Sequence, residues 1–333
     1  MRPLYRNLFL FFGIVSVIIM MYGFGVDFTG LHQRIARVGA YLPAVVGIWV
    51  FVYAFNAGAF YEIVNSGNHD KHLSYLHAYK LTVSGFAFSY TTPFGFGGAP
   101  YRVMELSSYI GTPRAMSCTV LYSMMHILSH FFLWMTGIIM FIILYFNKMN
   151  SLFATLFAIF TLVFFIVIYF FYYGYKNGMI VRLYGILLHI PFVKEYARKF
   201  YEKNIENMKQ VDQNIAYLHS QPRAFYSALV MEYVGRVINS YEYYFILLSL
   251  GFPVSFGDAL LVLAFSSLIG NVLFFFPMQL GAREGSLAFI VKLLGFGTLS
   301  FGLFASFYTR IRELFWIIVG VSLVKVGTKK IMK

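Results

Sequence analysis

The chain has 333 residues, of which 59% are hydrophobic, 20% aromatic and only 12% charged, a composition that excludes an ordinary soluble domain. Its net charge of +13 would suit nucleic acid, but the basic residues sit between and beside apolar runs rather than in a basic domain, so nucleic acid is excluded as a partner and the positive-inside rule accounts for them. Cys118 is the only cysteine, which excludes an intrachain disulfide and a cysteine metal cluster.

Apolar runs at about 8–25, 38–61, 115–146, 151–174, 223–250, 256–276 and 299–326 reach the roughly 18 to 20 residues that cross a hydrocarbon core, so at least six spans are expected. Arg2 and Arg6 precede the first run, and no A-x-A-type cleavage site follows Gly23, so it reads as a retained helix. With both termini placed in the cytoplasm, helices one and two bring the chain back near 62–80. The spans 115–146 and 151–174 already make an even number, so 81–112 must enter and leave by one face. Its stretch T-P-F-G-F-G-G-A-P-Y-R-V-M-E-L at 92–106 cannot be one continuous helix. Proline removes a ladder donor and glycine loosens the backbone, so Pro93, Gly97 and Gly98 mark a break between half-helices. The bland alternative is a glycine-rich surface loop, against which stands the apolar L-T-V-S-G-F-A-F-S-Y-T-T just before it.

The polar stretch 175–222 follows, rich in lysine and arginine and expected in the cytoplasm. Within it Ala197, Tyr201, Ile205, Met208, Val211, Ile215 and Leu218 recur at spacings of three and four, predicting an amphipathic helix on the membrane surface or against the bundle. After the span 223–250, the segment 256–297 must again go in and out, and it breaks at F-F-F-P-M-Q-L-G-A-R-E-G-S. An offset of 184 sets Pro93 on Pro277, Gly97 on Gly281, Gly111 on Gly295 and His126 on Arg310. The first break is entered from the cytoplasm and the second from outside, which makes the repeats inverted, as in many secondary transporters. The expected fold is therefore all-α: one polytopic membrane domain over 1–333, with about six full spans plus two re-entrant, broken helix pairs in an inverted repeat. Its repeat cores lie at 81–146 and 256–326.

Charges inside the apolar zone are the candidate site: Arg102, Glu105, Glu232, Arg236, Arg283, Glu284, Arg310, Arg312 and Glu313. Each costs roughly 2.5 to 3.5 kcal/mol at a helix centre, so they are expected to face inward and to pair. Glu232 and Arg236, spaced i,i+4, are expected to neutralise each other. Arg283 with Glu284 is either a self-compensating pair or two arms of a site. The excess of arginine suggests an anionic ligand such as a lipid phosphate, gripped bidentately.

The patterns P-x-G-x-G-G-x-x-x-R in 93–102 and P-x-x-L-G-x-x-E in 277–284, with S-L-G-F-P-V-S-F-G-D-A-L-L-V and the final Y-T-R-I-R-E-L-F-W-I-I-V-G, resemble the flippase-like transmembrane domain of the bacterial lysylphosphatidylglycerol synthases and its stand-alone relatives. The resemblance implies a lipid-translocating domain with paired re-entrant elements. It carries family positions onto Pro93, Gly97, Gly98, Arg102, Pro277, Gly281 and Glu284. Met278 and Gln279 depart from the glycines usual after the second proline. The synthases' soluble aminoacyl-transfer domain has no counterpart of sufficient size here, so a stand-alone member is expected.

His126 and His130 share one helix face at i,i+4, a spacing able to bind metal, yet no H-E-x-x-H, second histidine box, G-x-S-x-G or P-loop is present. Substrate lining is the better reading for His126, and no metal, cofactor or catalytic residue is expected. His69, His72 and His77 read as solvated surface. The expected function is translocation of an anionic lipid, a phospholipid or a polyprenyl-phosphate-linked lipid, across the cytoplasmic membrane. The alternative is an intramembrane phosphatase or transferase acting on a lipid phosphate; a membrane scaffold is a third reading. A homodimer is compatible with the sequence.

Overall fold

In the computed structural model, the described residues are 28–66, 72–92, 95, 97–177, 181, 185, 194–219, 221–272, 282–296 and 299–324. They form ten α-helices in chain order. The first four are α1 (Phe28–Asn65), α2 (Tyr75–Tyr90), α3 (Gly98–Ile110) and α4 (Thr112–Leu144). A 3-10 turn at Phe146–Lys148 leads to α5 (Ser151–Asn177) and then α6 (Lys194–His219). The rest are α7 (Pro222–Ser249), α8 (Phe256–Val272), α9 (Ala282–Leu294) and α10 (Leu299–Val324). The protein is an all-α, multi-pass membrane protein.

Among the described residues three helices are long and apolar enough to cross a bilayer by length and composition: Gly39–Asn65 within α1, Thr112–Leu144 and Ser151–Gly174. α7 and α10 have span length at 28 and 26 residues but carry glutamate and arginine inside their apolar runs. Glu232, Glu242, Arg310, Arg312 and Glu313 are buried, Arg236 is half-buried, and all of them are hydrogen-bonded. The expected span at 8–25 lies outside the described residues, as do the break residues Pro93, Pro277 and Gly281.

Both expected breaks separate two described helices. α2 has 16 residues and α3 has 13, so at 1.5 Å per residue they reach only about 24 and 20 Å, short of a hydrocarbon core of about 30 Å. The break is closed by the Gly97 amide, which donates to Thr92 Oγ1 at 2.7 Å. α3 then folds back along α2. Phe88 meets Tyr101 near the break at 4.6 Å between ring centroids, and His77 meets Tyr109 at the far end at 5.3 Å. The hairpin is tight because Gly98 has no side chain: a Cβ there would stand 2.2 Å from Ser89 Oγ and 2.5 Å from the Gly85 carbonyl oxygen. α8 and α9, of 17 and 13 residues, form the second pair. Ser255 and Asp258 start α8 with a reciprocal cap, Ser255 N donating to Asp258 Oδ2 at 2.9 Å and Asp258 N to Ser255 Oγ at 3.2 Å.

The offset of 184 read from the sequence reappears in the helices. It carries Gly98–Ile110 onto 282–294, the span of α9, and the end of α1 at Asn65 onto the end of α7 at Ser249. Both α3 and α9 stop at a glycine with positive φ, Gly111 at 79° and Gly295 at 94°. Packing follows the same exchange: α2 lies on α10 and α8 on α4, while α1 packs broadly against α7. α1 and α7 run antiparallel, since Trp49 bonds Glu242, Gly235 abuts Val52 and Phe55, and Gly58 abuts Met231. Equivalent helices that run in opposite directions make the repeats inverted about an axis perpendicular to the helices.

With no hydrophobic drive between helices in lipid, close approach is set by small residues. A Cβ at Gly320 of α10 would meet Ala87 Cβ of α2 at 2.7 Å, and one at Gly137 of α4 would meet Ala264 Cβ of α8 at 2.6 Å. The amphipathic segment is α6, which buries Met208 and turns Val211 and Ile215 inward against the start of α4 and Phe171 of α5. It lies against the bundle. α5 itself presents Leu152, Leu156, Ile159, Leu162 and Phe165 outward, as a lipid-facing helix would.

Candidate functional site

α1, α2, α3, α4, α7, α8, α9 and α10 enclose a cavity of about 460 Å³ between the two repeats. Four arginines line it, Arg102 from α3, Arg236 from α7, Arg283 from α9 and Arg312 from α10. Glu242 is the one carboxylate among the described lining residues.

The α10 side is a balanced network. Arg312 grips Glu242 through Nε at 2.9 Å and Nη2 at 3.2 Å, and its guanidinium lies 3.8 Å from the Trp49 ring centroid. Trp49 Nε1 donates to the same carboxylate at 2.8 Å. Glu313 pairs with Arg283, accepts from Arg310 Nη1 at 3.2 Å and accepts the Tyr90 hydroxyl at 2.9 Å. Glu284 accepts from Arg310 Nη2 at 3.0 Å and from Ser306 Oγ at 2.9 Å. Three arginines thus meet three glutamates, and α2, α7, α9 and α10 are tied together.

The α4 side is not balanced in this way. Glu232 is fully buried and its Oε2 lies 2.8 Å from His126 Nδ1. Glu232 and Arg236 make no direct ion pair, although each charge still favours the other through space. Arg236 donates instead from Nε to Ser129 Oγ at 2.6 Å and from Nη2 to the His126 carbonyl at 2.8 Å. The helical spacing places the two residues on one face, but α4 offers each a better-aimed partner. Arg102 lies over the Tyr122 ring at 4.9 Å and the Phe60 ring at 5.9 Å. Neither Arg102 nor Arg236 makes an ion pair among the described residues.

Several residues of the cavity wall carry a buried polar atom without a hydrogen-bond partner among the described residues: Arg102 Nε, Arg312 Nη1, His130 Nδ1, Tyr53 Oη and Asn239 Oδ1. A polar group buried without a partner costs on the order of 1–3 kcal/mol, a cost that falls here on residues of the cavity wall. The guanidinium and hydroxyl groups among them donate, which suits an acceptor-rich anion.

Of the residues read from the sequence, Arg102, His126, Arg236, Arg283 and Arg312 come together at this cavity. Glu232 stands directly behind His126. Arg310, Glu284 and Glu313 do not line it but hold the lining arginines in place. Arg283 and Glu284 do not compensate each other: each crosses to α10. Glu105, one turn beyond Arg102 on α3, does not line the cavity. Gly97 and Gly98 sit at the first break as expected. Among the described residues no group of three His, Cys, Asp or Glu side chains could hold a metal. Sequence reasoning missed Glu242 and Trp49. Glu242 could have been found by the criterion used for the others, a carboxylate inside the apolar run 223–250; Trp49 carried no such signal.

A family model described as the lysylphosphatidylglycerol synthase TM region matches residues 9–320. No curated protein and no solved structure matches the chain.

Proposed function

The chain belongs to the lysylphosphatidylglycerol synthase TM region family, and we propose that it moves an anionic lipid between the leaflets of the cytoplasmic membrane. The observation that carries this reading is four arginines on one cavity, of which Arg102 and Arg236 make no ion pair among the described residues. Such a surface attracts a phosphate and repels a cationic head group.

The head group enters between the repeats while its acyl chains stay in lipid. α2–α3 and α8–α9 act as re-entrant hairpins, the first from the cytoplasmic side and the second from outside, with both termini cytoplasmic. Inverted repeats around a midplane site allow the cavity to open to one leaflet and then the other. Arg102, Arg236, Arg283 and Arg312 hold the phosphate, and the Glu284–Arg310–Glu313 lattice keeps the last two aimed. The chain acts as a transporter and performs no covalent chemistry.

The test is reconstitution of the full chain into proteoliposomes with fluorescent and natural anionic lipids. Leaflet exchange without chemical change supports the proposal, and loss of exchange in a folded Arg102→Ala variant supports the site. A new lipid product by mass spectrometry would point instead to an enzyme. Exchange as fast in Arg102→Ala as in wild type would place the site elsewhere.

A further inference from the structure

The two repeats carry unlike cations at one register position. At the offset of 184, His126 of α4 stands where α10 has Arg310. Each touches a buried glutamate, His126 Nδ1 at 2.8 Å from Glu232 Oε2 and Arg310 Nη2 at 3.0 Å from Glu284 Oε1. Arginine keeps its charge throughout the physiological range. Histidine is the side chain whose unperturbed charge changes between about pH 5 and 8. One node is permanent and its counterpart can switch.

The surroundings of the switching node are open on one side and closed on the other. The His126 side chain is 44% exposed and lines the cavity, so a proton can reach it from there. Glu232 is fully buried behind it, with Asn56 of α1 and the Tyr122 hydroxyl close to its carboxylate. On α4 itself, Tyr122 and His130 flank His126, the second imidazole edge-on at 5.6 Å between centroids. α7 contributes Glu232 and Arg236, whose Nη2 donates to the His126 carbonyl at 2.8 Å. α3 contributes Arg102, over the Tyr122 ring. α1 brings the uncharged Asn56 to the cavity wall.

We propose that the His126–Glu232 pair is a proton-binding site that couples the movement of the anionic lipid to the movement of a proton. This inference rests on the transport reading above. Without a head group, Arg102 and Arg236 oppose a further positive charge on His126, while Glu232 favours it. A phosphate arriving between those arginines supplies the negative charge that makes the imidazolium favourable. Lipid and proton therefore bind with positive coupling, and by linkage each strengthens the other. The proton is carried on the imidazole and released when the head group leaves; no bond other than N–H forms or breaks. Arg310 in the other repeat cannot do this, which gives the two halves different roles.

The experiment uses the full chain in proteoliposomes with head-group-labelled phosphatidylglycerol and a pH-sensitive dye inside. Wild type is expected to change its exchange rate by about fivefold or more between about pH 5.5 and 8, the lower end of usual coupling strengths. An imposed pH gradient is expected to drive lipid accumulation together with proton flux. His126→Arg, which copies Arg310, and His126→Gln, which is neutral at every pH, are each expected to move no protons and to lose the pH response, provided they elute as monodisperse protein. Lipid exchange in wild type that is flat with pH overturns the proton site and leaves the transport reading standing. A pH response retained in both variants overturns it equally. No exchange by wild type at any pH overturns both.

Discussion

Arg312 holds Glu242 with two nitrogens, at 2.9 and 3.2 Å, and both side chains are only 1% exposed. This fork joins α10 to α7 across the cavity wall, with Trp49 of α1 stacked on the guanidinium and bonded to the carboxylate. Removing one member leaves a buried charge without its counter-ion, which costs about 3–5 kcal/mol where it has been measured, while replacing both by apolar groups is often nearly neutral. Glu242→Leu is therefore expected to lower the melting temperature in detergent sharply. The double variant Glu242→Leu with Arg312→Met should recover much of that loss yet lack lipid exchange. A double variant no more stable than Glu242→Leu alone would show that the pair is not the source of the effect.

Gly85 and Gly98 are both small residues at the α2–α3 hairpin, but a Cβ at each would meet different things. At Gly85 it would stand 2.8 Å from Arg102 Nε, the far end of a flexible side chain; at Gly98 it would stand 2.5 Å from a backbone carbonyl. Gly85→Ala is thus expected to fold and to push Arg102 off its place over Tyr122, weakening lipid exchange several-fold, on the order of 1 kcal/mol of lost contact. Gly98→Ala must separate two backbones and is expected to reduce thermal stability. Equal melting temperatures for the two variants would contradict this assignment.

Arg236 makes two directed hydrogen bonds to neighbouring turns of α4, one to Ser129 Oγ and one to the His126 carbonyl. A lysine ammonium has no planar fork with which to reproduce both. Arg236→Lys is expected to keep the charge but lose about 1–3 kcal/mol of stability, read by thermal unfolding in detergent. Ser129→Ala, which orphans only Nε, should lose less. The reverse order would mean that the guanidinium is held by something other than this fork.

The sequence carried the architecture because its cues are local. Composition and run length gave the membrane class, proline and glycine marked the breaks, and Gly111 against Gly295 set a register that the ends of α3 and α9 reproduce. The charged residues were legible as a set, since any ion inside an apolar run stands out. Their partners were not. Glu232 and Arg236 sit four apart on one helix, yet both turn to α4, and Arg283 and Glu284 are neighbours that each reach α10. Which pair forms depends on how helices far apart in sequence are brought together, and spacing along one helix cannot report that. Trp49 stayed invisible for the same reason: nothing near it in the chain distinguishes it from a lipid-facing aromatic.

The reciprocal contacts of the repeats make a sharper test of the close packing. Among the described residues, the only atom a Cβ at Gly137 would meet within 4 Å is Ala264 Cβ, at 2.6 Å. At Gly320 it would meet Ala87 Cβ at 2.7 Å and also the Val83 carbonyl oxygen at 2.7 Å. Gly137→Ala and Gly320→Ala are each expected to destabilise by about 1–3 kcal/mol, the usual cost of overpacking. Trimming the facing methyl then separates them. Ala264→Gly should restore Gly137→Ala nearly fully, because it removes the whole clash. Ala87→Gly should restore Gly320→Ala only in part, because the backbone oxygen remains in the way. Double-mutant cycles on thermal unfolding in one detergent read the coupling directly. Full rescue at both sites, or at neither, would mean that α2–α10 and α4–α8 do not approach as closely as these contacts require.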